Sequence, residues 1–332
     1  MICLSNQTPF MHAIHPGNQT AKFKEANGFM HTYCTSSSLS RRDFLKTLLI
    51  LSGFSGLLTG LSHAIILVQS TWHEPVWMWD LQTGRIRGPQ PDAKAYNFHA
   101  NMPYGLPGSV MKLVAAAALL EEHLLQPNQL LECRGSIYAS GHRYICQHVH
   151  GKLTLREAIG HSCNVFFAQA VEPLSAHRFL DYARRFELHQ PMVAGDPYRF
   201  ESNDAERQHS QMLALGLSPK IQPNALQLLR LAQQLAQRAI PGIANKTWKV
   251  LQEGMRLSVR QGTAQALDPS DTLKIAAKTG TAPHGQNFNA WLIGYFPVEN
   301  PRFAFCVRAV SGTAKDSAVP LARHFLARKD WS

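Results

Sequence analysis

Ser109-Val110-Met111-Lys112 sets a serine three residues ahead of a lysine, at the start of the apolar run Leu113–Leu120. On a helix, positions three apart share a face, so the two side chains can meet. A lysine held beside buried surface loses its proton readily and can then act as a base toward the hydroxyl. A capping serine beside a solvated lysine is the plainer explanation of such a pair. Two further clusters argue against it. Ser162-Cys163-Asn164 joins a hydroxyl and a carboxamide, and Lys278-Thr279-Gly280-Thr281 joins a cation and two hydroxyls. Taken singly, these would be a loop or cap pair and a solvent-facing strand lysine.

The surrounding elements must bring these groups together. Pro107-Gly108 stops whatever precedes Ser109, and the Ala/Leu-rich run that follows predicts a helix apolar on nearly every side, hence one inside a core. Residues 75–80 suit a strand, Gln82-Thr83-Gly84 a hairpin turn into Arg85–Arg87, and 88–108 a loop. Residues 126–152 read as irregular, with helices over 153–160, 163–171 and 175–187. Residues 189–210 read as polar and turn-rich. Helices follow over 224–239 and 245–260, strands over 274–282, 289–298 and 302–311, and a last helix over 317–328. The expected fold class is therefore α+β. An antiparallel sheet, with strands from both ends of the chain, is flanked by helices and carries an inserted helical subdomain.

Ser109-x-x-Lys112, Ser162-x-Asn164 and Lys278-Thr279-Gly280 each occur once, in this order, and together form the signature of penicillin-binding proteins and serine β-lactamases. The chain resembles the penicillin-binding transpeptidase domain over about residues 75–328. Supporting stretches are Asp80-x-x-Thr83-Gly84, Pro107-Gly108, Arg260-x-Gly262-Thr263-Ala264 and Asn289–Tyr295. The resemblance implies a β-lactamase/transpeptidase-like fold and a D,D-transpeptidase that acts on peptidoglycan stem peptides ending in D-Ala-D-Ala and binds β-lactams covalently. In that reading Ser109 attacks, Lys112 takes its proton, Ser162 relays a proton to the leaving amine, and Asn164 bonds the substrate backbone or Lys112. Lys278 with Thr279 and Thr281 holds the substrate carboxylate across Gly280, and the backbone N–H groups of Ser109 and Thr281 bind the oxyanion. No cofactor is implied for catalysis. A membrane glycosyltransferase is an implied partner, and the chain reads as a transpeptidase module without a pedestal-sized region of its own. A D,D-carboxypeptidase and a non-turnover β-lactam sensor or cell-wall scaffold are the alternatives. Glu201 lacks the Glu-x-x-Leu-Asn wording of a deacylating glutamate, and Asn164 stands where class D enzymes more usually have valine. Both departures place β-lactam hydrolysis below acyl transfer.

Cys133, Cys146, His150 and Cys163 fall within one short span. Three thiolates and an imidazole complete a tetrahedral zinc set that leaves no open position for water, so the metal would be structural. Cys133-Arg134-Gly135 and His150-Gly151 also resemble elongation-type penicillin-binding proteins, some of which bind zinc at comparable positions. A Cys133–Cys146 disulfide, suited to an oxidising compartment, is the alternative. His142, His148 and His161 read as solvated or as neighbours of the ligands.

The 332 residues suffice for a sizeable core. The net charge of +11 admits an anionic partner. Lysine and arginine are nevertheless scattered, which argues against nucleic acid. Residues 1–39 are polar and aperiodic and read as a disordered extension. Ser40-Arg41-Arg42-Asp43-Phe44-Leu45-Lys46, the apolar run 47–61 and Ser62-His63-Ala64 resemble a twin-arginine export signal spanning 40–64. The transpeptidase domain is then assigned to 70–332 and to the periplasm or cell envelope. An uncleaved membrane anchor is the alternative.

Overall fold

The computed structural model describes residues 68–72, 75–89, 105–188 and 203–328. The expected extension at 1–39 and the export signal at 40–64 lie outside the described residues, as does Glu201. No helix among the described residues is long and apolar enough to cross a membrane.

Strands β1 (Val68–Trp72), β2 (Val76–Asp80), β3 (Ile86–Pro89), β8 (Ala276–His284), β9 (Asn287–Phe296) and β10 (Phe303–Ala309) form one six-stranded sheet. Its order is β1-β3-β2-β10-β9-β8. Every neighbouring pair is antiparallel except β1 with β3 at one edge. Strands from both ends of the chain share the sheet, as expected, and β8 forms the opposite edge.

Alternation along the strands divides the interior into two layers. Trp77, Trp291, Ile293, Tyr295, Ala304 and Cys306 face the larger helical layer. Val76, Met78, Leu292, Phe296, Phe305 and Val307 face the C-terminal helix α8 (Val319–Ala327) and the residues that follow α7 (Asn245–Gln261). Helix α1 (Lys112–Glu121), entered through a 3₁₀ turn at Gly108–Met111, runs through the larger layer. Every side chain from Lys112 to Leu120 is buried. Around it lie α2 (Leu155–Gly160), α3 (Asn164–Ala170), α4 (Ala176–Arg185), α5 (Asn203–Ala214) and α6 (Ala225–Gln237). The predicted final helix begins as a wide turn over Ala314–Ala318 before α8.

Two regions depart from the sequence reading. The segment 126–152 is not irregular: β4 (Leu131–Cys133) pairs with β7 (Gly151–Leu153), and β5 (Ser136–Ala139) pairs with β6 (His142–Ile145). Strands of three or four residues are too short to show a two-residue period. The polar stretch read as turns to residue 210 turns helical at Asn203, giving α5. One of its glutamines is structural: Gln211 is buried, accepts the Tyr144 hydroxyl hydrogen at 2.9 Å and donates to the Ala168 carbonyl at 3.1 Å.

Candidate active site

The nucleophile loop is built on two backbone crossings. Gly108 has φ +59° and donates its N–H to the Gly216 carbonyl at 3.0 Å. A Cβ on Gly108 would stand 2.5 Å from the Thr281 carbonyl oxygen. A Cβ on Gly216, at φ +67°, would stand 2.0 Å from the Gly108 carbonyl oxygen. Only glycine combines that conformation with such contact. β8 seats on the same loop, because a Cβ at Gly280 would lie 2.3 Å from the Pro107 carbonyl. Ser109 therefore stands at the start of the buried helix, against the edge strand that carries Lys278 and Thr279.

Ser162 is delivered differently. Helix α2 starts with a reciprocal cap in which Thr154 and Glu157 satisfy one another's backbone N–H groups. It ends with Ser162 N–H on Ile159 O at 3.2 Å and Cys163 N–H on Ala158 O at 3.0 Å. This is a Schellman ending, and its left-handed position usually belongs to glycine. Here Ser162 occupies it at φ +54°. The side chain is kept at a backbone cost of about 1 kcal/mol or more. One residue on, the Cys163 sulfur accepts from Phe166 N–H and caps α3.

These elements place the expected side chains in one cluster. Lys112 and Lys278 are both fully buried. Lys112 Nζ donates to the Ser162 carbonyl at 2.6 Å and to Asn164 Oδ1 at 2.6 Å, with Ser162 Oγ at 3.4 Å. Asn164 is anchored by donating to the Ile145 carbonyl at 2.8 Å. Lys278 Nζ donates to Ser162 Oγ at 2.9 Å and to Thr279 O at 2.9 Å. Ser162 Oγ thus lies between two amines. Thr279 Oγ1 lies 2.6 Å from Thr263 Oγ1, and Thr281 Oγ1 accepts from Ala314 N–H at 2.9 Å.

Burial decides the electrostatics. It lowers Lys112 to about 8, against the thiols of Cys163 and Cys146, which pull the other way. That displacement from 10.5 amounts to about 3 kcal/mol against the ammonium form. Burial also holds Lys278 well below the ordinary lysine range, and the Lys112 charge adds to it. This burial thus disfavours two positive charges around one hydroxyl. An incoming carboxylate would settle the charge on Lys278 and leave Lys112 neutral. With two Lys112 hydrogens held by carbonyl-type acceptors, the neutral amine keeps its lone pair for a hydroxyl proton.

The cysteines and histidine also converge. The ligand atoms of Cys133, Cys146, His150 and Cys163 all lie within 4.8 Å of one another. Cys133 Sγ stands 3.4 Å from His150 Nδ1, and Cys146 Sγ 3.6 Å from Cys163 Sγ. All three cysteines are unbridged thiols. Tetrahedral zinc, with bonds of about 2.3 Å to sulfur, sets ligand atoms about 3.8 Å apart, so spacing and donor chemistry fit that ion. The Cys163 thiol at Cys146 pulls the Cys146 sulfur toward thiolate, aided by His150 and the Val165 N–H, and the resulting charge pushes Cys163 up. His161 stacks on His150 with ring centroids 5.8 Å apart, whereas His148 is exposed. His142 reaches Gln208.

Sequence reasoning overlooked Gly216 and gave Thr263 no role. Gly216 acts through a backbone carbonyl and shares no local pattern with Ser109. The Thr-Gly-Thr strand and the stretch 260–264 offered a signal for Thr263, but only the fold shows which hydroxyl it meets.

The sheet, the buried helix and the side-chain cluster that gathers three motifs define the transpeptidase-like class of α+β folds. The chain belongs to the penicillin binding protein transpeptidase domain family, whose model matches residues 89–327. It is 27% identical over 289 residues to penicillin-binding protein PbpB of Mycolicibacterium smegmatis, covering 70% of this chain and 44% of that protein. It therefore spans less than half the length of that curated relative. Among solved structures, it resembles a chain from a study of polymerization and crosslinking by a peptidoglycan synthase complex. That match has 25% identity and a TM-score of 0.62, and covers 76% of this chain and 55% of the other. It also shares its fold with penicillin-binding protein 3 of Mycobacterium tuberculosis complexed with ampicillin, at 20% identity and a TM-score of 0.58 over 77% and 72% of the two chains.

Proposed function

We propose that this chain is a serine D,D-transpeptidase that crosslinks peptidoglycan stem peptides and is acylated by β-lactams at Ser109. The observation that carries this reading is that Lys112 and Lys278 flank the Ser162 hydroxyl, with Asn164 bonded to Lys112, beside the start of the Ser109 helix. Neutral Lys112 takes the Ser109 proton as the serine oxygen bonds to the D-Ala-D-Ala carbonyl. The proton passes through Ser162 to the departing D-Ala nitrogen as the C–N bond breaks. An acceptor amine then attacks the ester, its proton returns along the same route, and Ser109 is released. N–H groups at Ser109 and Thr281 stabilise the oxyanion, while Lys278, Thr279 and Thr281 hold the carboxylate.

Family membership and the neighbour solved with ampicillin support β-lactam binding. A membrane glycosyltransferase is the proposed working partner, and the neighbour from a peptidoglycan synthase complex that polymerises and crosslinks supports work within such a complex. Export to the cell envelope through a twin-arginine-type signal rests on Ser40–Ala64 alone. Cys133, Cys146, His150 and Cys163 would hold a structural zinc, which would fix Cys163 and with it the flanking Ser162 and Asn164.

Fluorescent penicillin tests the reading. Wild type should form a long-lived adduct that Ser109→Ala lacks, and purified enzyme should join donor and acceptor stem peptides with release of D-Ala. Because the base is the neutral amine, labelling should rise with pH and reach half its maximum near pH 8. Labelling that survives Ser109→Ala would overturn the assignment. D-Ala release without transfer would mark a carboxypeptidase, and a stable adduct with no release would mark a sensor.

A further inference from the structure

Behind the Lys278-Thr279-Gly280 strand lies a row of three hydroxyls that the proposed reaction does not use beyond its first member. Thr279 Oγ1 is 2.6 Å from Thr263 Oγ1, which is 3.3 Å from Ser258 Oγ. Ser258 lies on α7 and is fully buried, and Thr279 is nearly so. Thr263 follows the end of α7, its N–H bonded to the Gly160 carbonyl at 3.3 Å.

Each hydroxyl has one proton to give and room to accept. Among the described residues, Thr263 is the one hydrogen-bonding partner of the Ser258 hydroxyl. If Thr263 donated to Ser258, the Ser258 proton would be buried without an acceptor, at a cost of about 1–3 kcal/mol. Ser258 therefore donates to Thr263. Thr263 is half-buried, and if Thr279 also donated to it the Thr263 proton would have no acceptor among the described residues. The arrangement that gives the Ser258 and Thr263 protons an acceptor within the protein runs from Ser258 to Thr263 to Thr279, and it leaves the Thr279 proton free to point out of the row.

We infer that Thr263, backed by Ser258, is a positioning residue that holds the Thr279 hydroxyl as a hydrogen donor to the substrate carboxylate. This rests on the reading above that Lys278, Thr279 and Thr281 receive that carboxylate. The row acts only on an anionic or acceptor group at Thr279. Losing it should therefore weaken the response to the carboxylate and spare the acylation chemistry at Ser109. The ligand class that Thr263 selects is an acyl donor with a free carboxylate next to its scissile amide.

The test compares acylation of the full chain by benzylpenicillin and by its methyl ester, which has no charged carboxylate. Wild type should react much faster with the acid. Thr263→Val should slow the acid reaction about tenfold, the worth of a hydrogen bond to a charged group, and leave the ester reaction near wild type. Thr263→Ser, which restores the hydroxyl, should recover the preference, and Ser258→Ala should reduce it a few-fold. A Thr263→Val enzyme with the wild-type acid-to-ester ratio would overturn the inference, while loss of that ratio in Thr279→Val would leave the carboxylate reading standing. Equal rates for acid and ester in wild type would overturn both. If Thr263→Val does not fold, an unchanged ratio in Ser258→Ala overturns the row by itself.

Discussion

The site has two walls, and they are built by different means. On the strand side, Lys278 and Thr279 belong to a nine-residue strand paired with β9 along its full length. Regular pairing fixes their spacing, and close backbone contact seats them on Pro107 and Gly108. On the helical side, Ser162 sits at the left-handed end of a six-residue helix, and Asn164 opens another helix whose cap is a cysteine sulfur. Its support comes from two-stranded ribbons and a sulfur–imidazole cluster. One wall therefore inherits its geometry from the sheet, and the other depends on local strain and on whatever occupies the cluster. The strand wall should tolerate change away from its seat, whereas the helical wall should respond to chemistry at a distance from Ser109.

The sharpest way to break this contrast is at the seat itself. Gly108→Ala forces a side chain into the Thr281 backbone and should cut fluorescent-penicillin acylation by about a hundredfold or more, the scale of an ångström-sized misplacement of reacting groups. The unfolding midpoint, followed by circular dichroism, should fall with it. A smaller effect separates the two walls by sulfur chemistry. Cys163→Ala should remove bound zinc, measured by elemental analysis of the native protein, and slow acylation about tenfold. Cys306→Ala, at a buried thiol in the sheet, should keep both and lose only about 1 kcal/mol of stability. Equal behaviour of the two variants would erase the distinction. The smallest effect concerns the strained serine. Ser162→Gly and Ser162→Ala both lose the relay hydroxyl, but glycine also relieves the left-handed backbone. In denaturant titrations the glycine variant should be about 1 kcal/mol more stable than the alanine variant, with acylation equally impaired in both.

The three motifs were legible because each is contiguous and each sits on an element with a clear signal. The all-buried Ala/Leu run, the alternating C-terminal strands and the Pro-Gly stop reported the fold well enough to bring Ser109 and Lys278 together. The pairing of β4 with β7 and of β5 with β6 was hidden, because those strands are shorter than the period that would reveal them. Helix α5 was hidden because Ser210 and Gln211 are polar yet buried, so composition pointed to the wrong environment. Gly216 contributes a carbonyl and a lack of side chain, neither of which leaves a mark in local sequence. The cysteine set was visible as a ligand inventory, and its convergence required the fold.

One contact links the two ends of the site's scaffold. Glu121, the last residue of α1, accepts the Ala244 N–H at 3.0 Å and the Thr247 hydroxyl hydrogen at 2.5 Å, and so caps α7 in place of a local side chain. Helix α7 runs 17 residues, about 25 Å, and delivers Thr263 at its far end. The helix that follows the nucleophile's turn and the helix that ends just before Thr263 thus form two packed bars, with the Glu121 carboxylate as one pin between them. A change at that pin, far from any substrate atom, would alter the angle between attack and grip without touching either.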